Sequence, residues 1–178
     1  NRKFKKITNS TEVADYSCIL VINSTKFKKE FLIKSKKKNI SALITNKYIK
    51  EFHNTQFIVK NVNKESLKIL KKLYPYKPKI SVAITGTNGK TSVAWYLSQF
   101  CKYVHLKSKM SGTLGFYVNH KKIKDTLLTT PSFEDLYQFS HNKTKSSYNF
   151  IFEASSHALS QNRLRDIQVD IAAITNIT

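Results

Sequence analysis

The sequence has few of the residues that mark metal-binding, secreted or membrane proteins. Its two cysteines, Cys18 and Cys101, do not share the short spacing of a metal site. Because both lie in apolar segments, we expect reduced core side chains of a cytosolic protein. The longest apolar run, residues 18–22, is far shorter than the ~20 residues that span a bilayer, and no secretory signal precedes it. We therefore predict a cytoplasmic protein with no membrane partner.

Acidic residues are also scarce. The 178 residues include 11 Asp and Glu against 31 Lys and Arg, a formal net charge of +20. This charge fits a nucleic-acid or anionic-membrane partner, or a lysine-rich composition combined with an anionic substrate. The lysines are scattered along the chain and no nucleic-acid-binding motif accompanies them, which favours the second interpretation. Hydrophobic residues make up 40% of the chain, so we expect a folded protein of one or two domains.

One stretch predicts a phosphate-binding loop. Residues 80–84 alternate apolar with smaller or polar side chains, as in a short strand. A turn at 86–89 follows, and residues 91–101 behind it have helical spacing. One face of that helix would carry Val93, Ala94, Leu97, Phe100 and Cys101.

This strand, loop and helix suit a nucleotide phosphate. Glycines let backbone N–H groups approach an anion, and the start of a helix adds unpaired donors. Lys90 would place a positive charge on the β- and γ-phosphates, and Thr91 would offer its hydroxyl to Mg²⁺. The general P-loop pattern has its first glycine where this chain has Ile84, so an ordinary strand-to-helix turn is the alternative.

Two further motifs follow the loop. Gly-Thr-Leu-Gly occupies residues 112–115, where the glycines could equally serve a turn. Thr129 and Thr130 come just before Ser132, which forms a capping box with Asp135 and opens a helix. The two threonines are either a polar loop before the cap or hydrogen-bonding groups for an anionic substrate.

The last motif begins where a predicted strand, residues 148–152, ends in Glu153. Ligands of open α/β sheets bind at such carboxyl ends. Glu153 and His157 are suitable neighbours for Mg²⁺ and phosphate, and the guanidinium of Arg163 suits a phosphate or carboxylate. The alternatives are a hydrogen-bonded loop histidine and a solvated surface arginine.

The first part of the chain reads as a small α/β unit. Its predicted elements are strands at 18–22, 40–45 and 56–59, a lysine-rich stretch at 27–38 and an amphipathic helix at 64–73. Pro75 and Pro78 mark a linker, so we predict domains at 1–78 and 79–178.

The second part adds two predicted strands. Residues 103–106 form one, and the apolar run 169–177 predicts a central parallel strand that is buried on both faces. The fold class is therefore α/β, with a P-loop-type, mostly parallel sheet flanked by helices after the small α/β domain.

In this order, the motifs at 86–91, 112–115, 129–131 and 153–163 resemble those of the Mur ligases, the ATP-dependent ligases that build the peptide stem of peptidoglycan. Gly-Thr-Leu-Gly resembles a motif of the branch that adds the third stem residue. The resemblance covers residues 80–178 well and the first 79 poorly. It implies the first part of a central ATP-binding domain, preceded by a partial and divergent UDP-binding domain without recognisable substrate signatures.

The resemblance also implies roles for the matching residues. Lys90 would be catalytic, and ATP would contact Gly86, Thr87, Asn88, Gly89, Lys90 and Thr91. The Mg²⁺ ion would be held by Thr91, Glu153 and His157. The substrate UDP-MurNAc-L-Ala-D-Glu would contact Thr129, Thr130, Ser155, Gln161 and Arg163.

The implied reaction is amide formation at a carboxylate. ATP would phosphorylate the D-glutamate carboxylate, and the amine of meso-diaminopimelate or L-lysine would attack the acyl phosphate. The family's carbamylated lysine and amino-acid-binding domain would lie beyond Thr178, so we expect this chain to be incomplete for ligation. We also expect a monomer without a nucleic-acid partner.

Two alternatives stay open at this stage. One is another ligase of the superfamily, such as a neighbouring Mur enzyme or folylpolyglutamate synthetase, against which residues 112–115, Gln161 and Arg163 argue. The other is a non-catalytic basic module that binds nucleic acid with a steep salt dependence.

Overall fold

The computed structural model describes residues 4–10, 14–23, 30, 39–40 and 42–177. The chain divides into two compact units, Asn1–Leu73 and Tyr74–Thr178. Apart from position 30, the predicted lysine-rich stretch at 27–38 lies outside the described residues. The functional domains at 1–78 and 79–178 stay a prediction. None of the described helices combines the length and apolar character needed to cross a bilayer.

The first unit is a parallel sheet with one described long helix. Its strands lie in the order β1-β2-β3-β4 and span Lys6–Thr8, Cys18–Ile22, Ala42–Thr45 and Thr55–Ile58. Helix α1, Val62–Leu73, buries Val62, Ser66 and Leu70. The strands predicted near 18, 40 and 56 are therefore present, with shifts of one or two residues at two of them. Cys18 is a buried free thiol, as the sequence predicted.

The second unit contains a six-stranded sheet in the order β10-β5-β9-β6-β7-β8. The strands are β5 Ile80–Thr85, β6 Ser108–Gly112, β7 Gly115–Val118, β8 Lys121–Lys124, β9 Asn149–Glu153 and β10 Ile171–Ile174. The helices are α2 Lys90–Tyr103, α3 Phe133–Ser140 and α4 Ser156–Ser160. Strands β10, β5, β9 and β6 pair in parallel, while β7 and β8 are antiparallel. Parallel strands place their carboxyl ends at one edge, so the loops after them meet there.

The two faces of this sheet pack against different helices because side chains alternate along a strand. Ile151 of β9 belongs to a core cluster with Ile84, Met110 and Ala94 of α2. Its neighbour Phe150 meets Phe139 of α3, with ring centroids 6.1 Å apart. The strand that ends in Glu153 is thus held between two layers.

The inner face of α2 differs from the predicted one. Val93 and Phe100 are 39% and 59% exposed, so the apolar face that the helical spacing predicted is not the buried face. The buried positions are Ala94, Ser98 and Cys101. These small side chains let the helix lie close to the sheet, which leaves the larger residues on the outer face.

The end of α2 also corrects the predicted strand at 103–106. The helix continues to Tyr103, and His105 then takes a left-handed conformation with φ 56°. The N–H of His105 bonds Lys102 O at 3.0 Å, and that of Leu106 bonds Cys101 O at 2.7 Å. This pattern is a Schellman cap, which sequence spacing alone did not reveal because the usual glycine is missing. The next strand, β6, begins at Ser108.

Strand β10 is parallel, as predicted, but it is not buried. Ile171 and Ile174 are 52% and 63% exposed. Among the described strands β10 pairs with β5 alone and forms the sheet edge. An apolar run indicates burial only when neighbours cover both sides of the strand, and in the described part of this chain they do not.

Lys109 anchors β6 to the end of α3. The residue is 9% exposed, and its Nζ donates to Phe139 O at 2.8 Å and to Asn142 Oδ1 at 2.7 Å. A third oxygen, His141 O, lies 3.4 Å away. Burial lowers the pKa of Lys109 to about 8, so the ammonium is still largely protonated at neutral pH. Its three donors then match three oxygens.

We predict that Lys109→Met lowers the free energy of unfolding of the second unit by about 2–3 kcal/mol, because buried acceptors lose a charged donor. Urea unfolding followed by the fluorescence of the single tryptophan, Trp95 in α2, measures this unit directly. The control is Lys107→Met, the same substitution at an exposed neighbour. Equal effects of the two substitutions would contradict the anchoring role.

Candidate functional site

The loop between β5 and α2 has the backbone of an anion site. Gly86 and Gly89 have φ values of +132° and +80°, a region that glycine tolerates best. Helix α2 begins at Lys90, and Gly89 before it provides no side-chain cap. The first N–H groups of a helix have no partner within the helix. These N–H groups and the positive end of the helix dipole therefore face the space above the loop, where an anion would bind.

Lys90 lies folded over this loop. Its Nζ donates to Gly86 O at 2.6 Å and to Thr87 O at 3.0 Å. The ammonium is thereby held at the mouth of the loop, beside the carbonyls of the residues that curve around it. An anion entering the loop would meet this charge first.

Glu153 is the most buried charged group of the site, with 1% of its surface exposed. Its Oε1 accepts from Thr113 N at 2.7 Å. Its Oε2 accepts from the hydroxyls of Thr91 at 2.9 Å and Thr113 at 3.2 Å. The carboxylate therefore links the start of α2 to the turn after β6.

Gly112 makes room for this carboxylate. A Cβ at position 112 would lie 2.1 Å from Glu153 Oε1 and 2.7 Å from its Cδ. No other residue fits unless the carboxylate moves. Gly112 also pairs with Gly115 across the β6–β7 hairpin, so it serves both the turn and the packing around Glu153.

The threonine loop before α3 is tied to the same glutamate through its backbone. Thr130 is buried, donates to Glu153 O at 2.7 Å and accepts from Ser155 N at 2.9 Å. Thr129 Oγ1 lies 3.2 Å from Thr113 Oγ1. Ser155 caps α4 by accepting from Ala158 N. The structure thus brings Thr129, Thr130 and Ser155 to the Glu153 edge, while their contact with a substrate stays a prediction.

The helix that follows this loop begins as predicted. Ser132 caps α3, and its Oγ accepts from Asp135 N at 3.3 Å. This N-cap marks where the loop ends and the helix starts.

Arg163 joins this group from the turn after α4. Its Nη1 donates to Thr130 O at 2.8 Å, and its Nε donates to Gln161 Oε1 at 2.9 Å. Residue 163 is half-buried and its guanidinium is bonded to the threonine loop, while a role for it at a substrate stays a prediction. Gln161 orients it from the exposed side.

His157 is placed differently from the other predicted residues. It lies exposed in α4, and no hydrogen bond joins its ring to Glu153 in the described part of the chain. The same described residues contain no group of three or more His, Cys, Asp and Glu side chains arranged for a metal. The role of His157 at a metal stays a prediction.

From the sequence, no site role was assigned to two residues of this edge, Thr113 and Thr175. Thr113 contacts Glu153 through both its N–H and its hydroxyl. Its place inside Gly-Thr-Leu-Gly was the available sequence signal. That motif was attributed to the turn made by its glycines. Thr175, which follows β10, lies close to Gly86. A Cβ added at position 86 would be 2.1 Å from Thr175 Oγ1.

A sequence model of the Mur ligase middle domain matches residues 84–178. The chain is similar to UDP-N-acetylmuramoyl-L-alanyl-D-glutamate–2,6-diaminopimelate ligase of Rickettsia bellii (strain RML369-C), with 31% identity over 153 residues covering 84% of this chain and 32% of the relative. For the protein of that name in Helicobacter pylori (strain J99 / ATCC 700824), identity is 40% over 111 residues, covering 61% and 24%. The chain thus spans about a quarter to a third of these curated relatives.

Solved structures are similar in fold. The structure of a UDP-N-acetylmuramoyl-L-alanyl-D-glutamate–2,6-diaminopimelate ligase superposes with a TM-score of 0.68 at 20% identity, covering 98% of this chain and 37% of that one. MurF from Acinetobacter baumannii gives 0.51 at 14% identity, covering 85% and 31%. These likenesses confirm the predicted α/β fold class.

We predict that Gly112→Ala disrupts the Glu153 cluster, because the new methyl group overlaps the carboxylate. Overpacking of this kind costs about 1–3 kcal/mol, measurable as a lower urea midpoint by Trp95 fluorescence. Ser111→Ala is the matched control on the same strand, since the buried Ser111 hydroxyl has no partner among the described residues. If both variants unfold at the wild-type midpoint, the steric account of Gly112 is wrong.

Proposed function

This chain belongs to the Mur ligase family, and from that premise we propose that it is part of an ATP-dependent ligase of peptidoglycan synthesis. The proposed reaction adds the third amino acid to UDP-MurNAc-L-Ala-D-Glu, as in UDP-N-acetylmuramoyl-tripeptide synthetases. One observation carries the proposal. The Glu153 carboxylate bonds Thr91 at the phosphate loop, while the Glu153 carbonyl bonds Thr130 at the opposite loop. A nucleotide and an acceptor carboxylate could therefore meet across this residue.

The nucleotide part of the proposal rests on the loop from Gly86 to Thr91. Open N–H groups at the start of α2 suit the phosphate oxygens of ATP, and Lys90 supplies a neutralising charge. Lys90 contacts the loop carbonyls alone in the described structure, and a bound phosphate would offer its ammonium a stronger, charged acceptor. We assign Lys90 the role of stabilising charge on the transferred phosphoryl group.

The residues present also fit Mg²⁺. This ion prefers oxygen ligands and is commonly held by one or two protein groups together with phosphates. Thr91 Oγ1 and Glu153 Oε2 provide such oxygens 2.9 Å apart at the start of α2. When bound, the ion would neutralise phosphate charge during transfer. We keep His157 as a third candidate ligand.

The acceptor substrate would lie on the threonine-loop side. Its anionic groups suit the guanidinium of Arg163, the Gln161 amide and the hydroxyl of Thr129. Thr130 and Ser155 would act mainly by holding this loop on Glu153, since their hydroxyls already bond each other and the strand end. The similar proteins are named for 2,6-diaminopimelate, so we propose that amino acid as the third residue. A carboxylate is a poor acyl donor, which is why phosphorylation by cytoplasmic ATP precedes amide formation.

We predict that Lys90→Ala abolishes measurable Mg²⁺-ATP binding and leaves UDP-MurNAc-L-Ala-D-Glu binding intact. Arg163→Ala should do the reverse, weakening the UDP-sugar by at least about tenfold through loss of a charged fork. Isothermal titration calorimetry of the 178-residue chain with each ligand measures both. Lys102→Ala, in the last turn of the same helix, is the control and should bind both ligands normally.

Other outcomes separate the alternatives. Binding of a folate with none of the UDP-sugar would favour a folylpolyglutamate-type ligase. Salt-sensitive binding of nucleic acid that Lys90→Ala leaves unchanged, without any nucleotide binding, would replace the ligase proposal with the basic binding module.

A further inference from the structure

The tip of strand β10 touches the phosphate loop at several points. Asn176 Oδ1 accepts from the N–H of Asn88 at 2.9 Å, and Asn176 O accepts from the N–H of Thr87 at 3.2 Å. Thr175 Oγ1 donates to Asn88 O and lies 3.2 Å from Thr85 O. The two residues that follow β10 thus bond the N–H groups of Thr87 and Asn88 and lie against the carbonyls of Thr85 and Asn88.

These contacts divide the loop into two halves. The N–H groups of Thr87 and Asn88 are occupied by Asn176. The N–H groups at the start of α2, beginning at Lys90, have no intrahelical partner and remain directed at an incoming anion. A phosphate bound by the second half would therefore meet a loop whose conformation is already fixed by its bonds to Asn176.

The backbone geometry depends on the same strand. Gly86 takes φ +132°, and a Cβ there would strike Thr175 Oγ1 at 2.1 Å and Asn176 O at 2.9 Å. Gly86 thus lets the loop close onto β10 as well as adopt its own conformation. The register of β10 on β5, with Ile174 opposite Thr85, brings Thr175 and Asn176 to this point.

We propose that Thr175 and Asn176 are positioning residues of the nucleotide site, which hold the phosphate loop in its binding conformation before the nucleotide arrives. The inference rests on the proposed nucleotide binding and adds residues from outside the loop motif. Preorganisation of this kind raises affinity because the nucleotide does not have to order the loop when it binds. It differs from a direct contact, since the two side chains act through the loop.

The test compares Asn176→Ala and Thr175→Val with the wild-type chain. Each variant removes one side-chain bond to the loop, and we expect Mg²⁺-ATP to bind about three- to tenfold more weakly in each, the loss typical of one hydrogen bond. Thr175→Ser keeps the hydroxyl and should restore near wild-type affinity. Amide exchange measured by NMR without nucleotide adds an independent readout. The Asn88 amide should exchange faster in Asn176→Ala, whereas the Thr87 amide, bonded to the backbone of residue 176, should not.

Asn119→Ala is the matched control. Asn119 Oδ1 accepts from the backbone N–H of Ser108 at 3.1 Å, the same chemistry at the β7–β8 turn. This variant should be less stable but should bind Mg²⁺-ATP as tightly as wild type.

The possible outcomes distinguish the positioning role of Thr175 and Asn176 from the proposed nucleotide binding. If wild type binds Mg²⁺-ATP while Asn176→Ala and Thr175→Val bind it equally well, the positioning inference is overturned and the proposed function stands. If wild type does not bind nucleotide, both are overturned. If Asn119→Ala loses as much affinity as Asn176→Ala, the effect is one of general stability and the inference fails.

Discussion

The site depends on one buried carboxylate. Glu153 stands at the carboxyl end of β9, between two helical layers, and its side chain and its carbonyl bond different loops. Removing a charged group from water is costly unless donors surround it. Here the donors come from Thr91 and Thr113, which belong to the two neighbouring strand connections. The need to satisfy this carboxylate therefore brings the start of α2 and the Gly-Thr-Leu-Gly turn together.

Glycine is scarce in this chain, and its placement follows the same constraint. All four glycines lie at this edge of the second sheet. Gly86 and Gly112 each leave space for a side chain of a neighbouring strand end, Thr175 and Glu153 respectively. Gly89 and Gly115 supply positive φ angles at the two turns. Glycine thus occurs where the backbone must approach a neighbouring side chain closely or adopt a positive φ angle.

Much of this architecture could be predicted from the sequence because its signals are local. The strand–glycine–helix unit, the capping box at Ser132 and the strand before Glu153 follow from patterns within a few residues. Apart from the Schellman cap that stands where a strand was predicted at 103–106, the errors concern tertiary placement. Exposure of Phe100 and of β10 depends on which surfaces the sheet and its neighbours cover, and the link from Asn176 to Asn88 joins residues far apart in sequence. Periodicity carries no information about such pairs.

The most direct test of the account is the Mg²⁺ dependence of ATP binding in wild type and in Glu153→Gln. It is measured by calorimetric titration with ATP in the presence and absence of Mg²⁺. Glutamine keeps the shape of the side chain and an acceptor for Thr113 N–H, but it removes the charge that a divalent ion requires. The account predicts that Mg²⁺ strengthens ATP binding in wild type and has little effect in Glu153→Gln, with similar affinity in both when Mg²⁺ is absent. An unchanged Mg²⁺ dependence in Glu153→Gln would contradict the central role of this carboxylate.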